Sequence, residues 1–465
     1  MADKQAKFLT GNLFRHVSVM SLTASIGLIA IFVVDFVDMI FISMLGKAEL
    51  AAAVGYAGAI LFFTTSFGIG VAIAAGALVA KALGEGDRQM AGRRAATSLI
   101  YGVLFAAVFA LIVWLNLTPL ARLVGASGET LDLAVHYLQI IIPSLPLLLV
   151  GMVGGAILRA HGAARQAMMA TVAGGVVNAV LDPILIFGLD LELTGAAMAS
   201  VAARITMAVV AILPILRAKG LAKPTPEQFR VDFRAIAVIA IPAILTQLAT
   251  PVGQAYVTRS MAEFGEEAVA AMAIIGRLTP VAFGVIFALS GAIGPIIGQN
   301  FGAKNFSRVS QAYWDGLIFC LIYVLGMSLI LFLARDPIAL LFDLDGVAKS
   351  LVFLFCGPLA LVFFFNGAIF VSNAAFNNLG HPFYSTMVNW GRHTLGTIPF
   401  VIAGAAWLGA PGVLIGQGAG GVVFGLVSIW MGWRVSRQGA SEQVETKAEP
   451  FARQGRLMSL SQFRR

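Results

Sequence analysis

The feature that most restricts this chain is a succession of apolar runs. Each has about twenty residues or more, enough at about 1.5 Å per residue to cross the ~30 Å hydrocarbon core of a bilayer as a helix. Twelve such helices are expected, at 13–44, 53–80, 94–118, 130–158, 166–188, 193–217, 234–262, 272–300, 310–334, 346–376, 382–407 and 410–434. With 59% of its 465 residues hydrophobic and 12% charged, the chain cannot be a water-soluble globule of ordinary composition. The expected class is an all-α integral membrane protein. No short apolar segment with a small-residue cleavage site precedes the first span, which is too long for a signal-peptide core, so the first helix is expected to stay. Cys320 and Cys356 fall inside spans, which points to neither a disulfide framework nor a thiol metal site.

The net charge of +8 is explained by where the basic residues sit. Lys4, Lys7 and Arg15 precede the first span; Lys81, Arg88, Arg93 and Arg94 lie between the second and third; Arg217, Lys219, Lys223, Arg230 and Arg234 link the sixth and seventh. The alternate loops carry few, such as Lys47, Arg122 and Arg335, and two of them are acidic, with Asp190 and Glu192 in one and Glu263, Glu266 and Glu267 in the other. By the positive-inside rule both termini are expected in the cytoplasm, and a bacterial inner membrane is the expected location. The basic excess is then a matter of topology, and no nucleic-acid partner is expected.

Internal repetition sets the organisation. The loop "KALGEGDRQMAGRRAATSLIYG" has a counterpart in "QNFGAKNFSRVSQAYWDGLIFC", which pairs Gly84 with Gly302 and Asp87 with Asn305. "LGKAELAAAVG" matches "FGEEAVAAMAIIG", "LRAHG" matches "FNNLG", and "LDPILIFG" matches "TIPFVIAG". Each half then has six helices, an even number, so the repeat is parallel. The polar, Pro-containing linker 218–233 is the expected join. Lobes are expected at 1–222 and 223–436, with a basic cytoplasmic tail at 437–465. A cleft between pseudo-symmetric lobes that rock for alternating access is the usual transporter arrangement. A monomer is expected to suffice.

Two acids, Asp35 and Asp38, interrupt the first apolar run, although a charged group there disfavours insertion by roughly 2.5–3.5 kcal/mol on translocon scales. Asp35 lies about ten residues, or ~15 Å, inside the outer end of its span. Asn178 has a similar depth in the fifth span, and Asp182 follows it at i+4 on the same face. Ser200 in the sixth span and Tyr137 in the fourth reach the same layer. Pro183 removes an N–H directly after Asp182, so a kink and a freed carbonyl are expected there. Acids, an amide and hydroxyls in one low-dielectric layer suit a proton or cation site. Asp38, nearer the surface, is a secondary candidate, as is Gln254, the repeat partner of Asp35. The partner of Asp182 is the apolar Ile398, so the site is expected in the first half alone. Arg159, Arg204, Arg259, Arg277 and Arg392 are expected to snorkel near helix ends. The five histidines are scattered, with no pair at ligand spacing, so no metal centre is expected.

The twelve-helix layout, the paired "GEGDRQMAGRR" and "GAKNFSR" loops, and "NAVLDPILIFG" followed by "TGAAMAS" resemble the multidrug and toxic compound extrusion (MATE) family over about residues 10–436. The acid in the first span and the lack of acids in the second-lobe cleft are similar to its DinF-like branch. The resemblance implies export of amphipathic, often cationic, drugs against an inward flow of protons or sodium ions, with no other cofactor. It carries the coupling role to Asp35, and a supporting role to Tyr137, Asn178, Asp182 and Ser200. Family members often have Thr where this chain has Ser200. They also often have a proline in the inner half of span one; here "VSVMSLTASIGL" leaves Gly27 as the nearest alternative hinge. Sodium coupling stays open, since oxygen ligands with an acid suit either ion. A flippase of related fold would want cationic residues in its cleft to hold a pyrophosphate. An intramembrane enzyme would need a nucleophile with a base, or paired metal ligands, and the sequence supplies neither; a channel would need charge rings repeated in both lobes.

Overall fold

The structure is a computed structural model that describes residues 6–218 and 220–462. Lys4 and Lys219 of the basic loops, and residues 463–465 of the expected tail, lie outside them. Among the described residues the regular structure is helical only. The spans are α1 (Leu13–Met44), α2 (Ala48–Gly84), α3 (Arg88–Leu115), α4 (Gly128–Ala160), α5 (Ala164–Gly188), α6 (Glu192–Arg217), α7 (Pro226–Ala262), α8 (Glu266–Gly302), α9 (Phe306–Leu341) and α10 (Gly346–Asn378), followed by α11 in two pieces (Pro382–His393 and Ile398–Leu408) and α12 (Ala410–Gln462). Among the described residues eleven helices are long and apolar enough to cross a membrane. The twelfth expected span is α11, which turns out of helical form at 394–397, so neither piece reaches the length of a crossing helix. α12 continues as helix through most of the expected tail.

α7 begins inside the expected linker because its local sequence is a helix start. Thr225 and Gln228 form a capping box, Thr225 Oγ1 accepting from the Gln228 N–H at 3.3 Å and Gln228 Oε1 from the Thr225 N–H at 3.0 Å, with Pro226 at the first helical position. The first turns of α7 then dock on α3. Asp232, 1% exposed, accepts from Arg93 Nε at 3.1 Å, from Arg93 Nη2 at 3.2 Å and from Thr97 Oγ1 at 3.2 Å, while Tyr101 stacks on Phe229 with ring centroids 4.2 Å apart. A charge pair sealed this way holds only with such full hydrogen bonding.

The halves meet most closely at the end that carries the basic loops. There a Cβ on Gly84 of α2 would collide with the Gln299 carbonyl of α8, and one on Gly302 of α8 with the Lys81 carbonyl of α2. Gly84 and Gly302 are the pair that the repeat aligns. Their missing side chains let each helix press on the other's backbone. The segment before α1 reinforces the contact. Phe8, fully buried, gives its N–H to Gln299 Oε1 at 2.9 Å, and its carbonyl accepts from Asn300 Nδ2 and Arg308 Nη2, both at 3.1 Å. Lys7 Nζ donates to the Gly162 carbonyl at 2.7 Å, and Gln299 Nε2 to the Ala160 carbonyl at 2.7 Å. Residues 7–11 thus tie the α4–α5 turn of the first half to α8 and α9 of the second. At the opposite end Lys47 pairs with Glu192 at 2.7 Å, and that carboxylate holds the Lys47 ammonium above the ordinary lysine range.

Candidate functional site

Glycines decide which side chains of α1 and α5 meet. A Cβ on Gly27 would stand 3.2 Å from Cβ of Thr171, and one on Gly175 would stand 3.3 Å from Cγ2 of Val34. Positions 27, 34 and 38 share one face of α1, because residues three, four and seven apart stack on a helix. Asp35 is one residue round from Val34, turned off that face and exposed. Counting depth along the spans puts Asp35 level with Asn178; the register set by the glycines brings Asp38 there instead.

Asn178 Nδ2 lies 3.5 Å from each carboxylate oxygen of Asp38, at the limit of a hydrogen bond, and donates to Asp182 Oδ2 at 2.7 Å. Asp182 is fully buried, and its Oδ1 finds no N–H or O–H donor among the described residues. The Asn178 amide thus brings the carboxyl groups of Asp38 and Asp182 together, two acids sharing one donor. On the neighbouring helices Tyr137, 7% exposed, lies beside Ser200. Five of the expected residues therefore come together: Asp38, Asn178 and Asp182 in contact, with Tyr137 and Ser200 as an adjoining pair. Asp35 makes no hydrogen bond among the described residues and lies a turn away from Asp38. Gln254 stands exposed on α7, apart from the layer, next to Gly253, against which His393 packs.

Arg204 belongs to this neighbourhood, and the expectation that it snorkels is corrected here. Its Nη1 donates to the Ile141 carbonyl at 3.2 Å and to Ser144 Oγ at 2.9 Å, where α4 tightens to a 3₁₀ turn at Ile142–Ser144. The signal in the sequence was its i+4 spacing from Ser200. α1 runs helically through Gly27, where the glycine lets the helix approach Thr171.

Both halves interrupt their fourth and fifth helices. α5 follows Pro183 with a π turn at Ile184–Gly188, and α11 breaks at 394–397, just before the repeat equivalent of Asp182; α10 has a π turn at Phe355–Leu359 around Pro358, matching the 3₁₀ turn of α4 around Pro143. The breaks of α4, α10 and α11 fall near the middle of their spans and that of α5 at its end; irregular backbone inside a membrane must face protein or a cavity, and transporters of repeated design place their sites at such breaks. A separate cavity of about 340 Å³, lined by Tyr256, Ser260, Glu263 and Phe264, lies at the acidic end between α7 and α11, away from the acid cluster.

A family model described as MatE matches residues 24–184 and again 242–402, once in each half. The FAD transporter of Shewanella oneidensis is 28% identical over 430 residues, 90% of this chain and 93% of that protein. The multidrug export protein MepA of Staphylococcus aureus is 23% identical over 414 residues, 87% of this chain and 88% of that one. The solved structure of the Vibrio cholerae MATE transporter VcmN in its bent form shares the fold, with TM-score 0.86 and 24% identity over 92% of this chain and 98% of that chain.

Proposed function

The chain belongs to the MatE family of transporters, and from that premise we propose that it is a proton-coupled antiporter of the DinF-like branch that exports amphipathic, often cationic, compounds. It resides in a bacterial inner membrane as a monomer, with both termini in the cytoplasm. The observation that carries the coupling assignment is the Asp38–Asn178–Asp182 cluster, two carboxyl groups and an amide with room for one shared proton. Loading a proton from outside joins the two carboxyls, and releasing it leaves two like charges that repel, so protonation biases how α1 packs on α5. Asp35, exposed one turn away, hands the proton on; Tyr137 and Ser200 hold the far wall. One proton crossing 100 mV supplies about 2.3 kcal/mol, roughly a fifty-fold gradient of the exported compound.

Sodium-free liposomes with an imposed pH gradient test the reading. Uptake or efflux of a cationic dye should follow the gradient and disappear in Asp38→Asn, which keeps shape but cannot exchange a proton. Transport that needs sodium and ignores the pH gradient at zero membrane potential would replace the proton with sodium as the coupling ion. A second reading of the cargo, a phosphate-bearing compound such as the FAD of the Shewanella relative, is favoured by one observation, Arg159 between the lobes, which has no partner among the described residues.

A further inference from the structure

Arg159 stands at the basic end of α4, where a snorkelling arginine would extend toward headgroups. It does the reverse. Its side chain folds back along α4, with Nη1 3.4 Å from where a Cβ on Gly155 would be and Nε 3.7 Å from where a Cβ on Gly291 of α8 would be. The guanidinium is therefore directed into the gap between the halves. It is half-buried, faces the exposed Gly291, and has a glycine on each side in place of a side chain that would screen it.

Among the described residues this guanidinium has no hydrogen bond and no ion pair. Asp232 is committed to Arg93, Asp38 and Asp182 lie in the opposite half of the membrane, and Asp315 of α9 forms no ion pair with Arg159 among the described residues. An arginine at a helix end usually keeps its head among headgroups and water, and one turned inward without a partner gives those contacts up, which marks it as a functional group. Immediately below it the Ala160 carbonyl is bonded to Gln299, so the closed basic end forms a floor under the guanidinium. A planar fork of N–H donors above a closed floor matches one chemistry, the bidentate binding of a carboxylate or phosphate.

We propose that the floor of the cleft between the lobes binds the oxyanion of an organic substrate, a carboxylate or a phosphate monoester, through Arg159. The acid cluster handles the coupling ion; this site handles the cargo. The inference rests on the reading that organic compounds leave through the interlobe cleft.

Riboflavin and flavin mononucleotide, which differ by one phosphate, make a matched pair of fluorescent probes for the full-length protein in nanodiscs. Flavin mononucleotide should bind at least tenfold more tightly than riboflavin. Arg159→Gln should erase that preference, and Arg159→Lys should keep part of it, with a melting temperature like that of the wild type in both. Equal binding of the two probes by the wild type, or a preference that survives Arg159→Gln, overturns the proposal. Free inorganic phosphate that competes as well as the nucleotide would overturn the organic part and leave a bare anion site. Efflux of a cationic dye by the wild type tests the broader export reading separately, since its absence would not alter the flavin comparison.

Discussion

Asp38 and Asp35 differ by three positions and by nearly everything that matters to a proton. Asp38 looks into α5, while Asp35 looks out. Asp38→Asn and Asp182→Asn are expected to lower dye export tenfold or more, and Asp35→Asn by less, with growth of a pump-deficient host on toxic cations ranking the strains; Asp35→Asn as the most damaging would show that the exposed acid, not the paired one, carries the proton. Asn178→Ala removes the amide that donates to Asp182, and hydrogen bonds to charged groups are worth about 1.5–3 kcal/mol, so it should cost export about tenfold or more. The residues of the layer were legible in the sequence because acids, amides and hydroxyls inside apolar runs are conspicuous. Which acid faces α5 was not, because that depends on where Gly27 and Gly175 let two helices touch. Arg159 was misjudged for a related reason: its position near a helix end was readable, but the direction of its side chain was not.

At the scale of elements, the proline signals were read correctly and the lengths were not. Pro183 announced an irregular turn after Asp182, and a π turn is there. Span boundaries slipped where caps outweighed hydropathy, as at Thr225, and the eleventh span ran over a break that the polar, Gly-containing stretch Thr394–Thr397 and the following Pro399 could have signalled. Pro183→Ala restores an N–H and favours a regular helix, which would rotate the residues beyond it, starting with the turn that abuts Gly195 of α6. Export is expected to fall several-fold while the melting temperature changes by only a few degrees, and vesicle efflux beside a thermal melt separates the two. Unchanged export would mean that the irregular turn is packing alone.

For the whole molecule, the basic end is shut by backbone against backbone and fastened by residues 7–11, so opening at that end must first undo that fastening. Arg308→Ala removes donors to the Phe8 and Gly11 carbonyls and is expected to speed labelling, by a reagent added on the side of the basic end, of a cysteine placed at Ala80, in a protein whose Cys320 and Cys356 are serine. Labelling no faster than with Arg308 present would show that the glycine crossing holds the end closed without help. Gly84→Val should act more strongly, because the added side chain has nowhere to go but into the Gln299 carbonyl. The crossing of Gly84 and Gly302 also speaks to ancestry. It is the contact that two copies of one six-helix chain would make on meeting about a two-fold axis, each lending the other the same glycine. In such a dimer every substitution is inherited by both partners at once. Fusion into a single chain frees them to differ, and that freedom is what lets one half keep Asp35 and Asp182 while the matching positions of its twin hold Gln254 and Ile398.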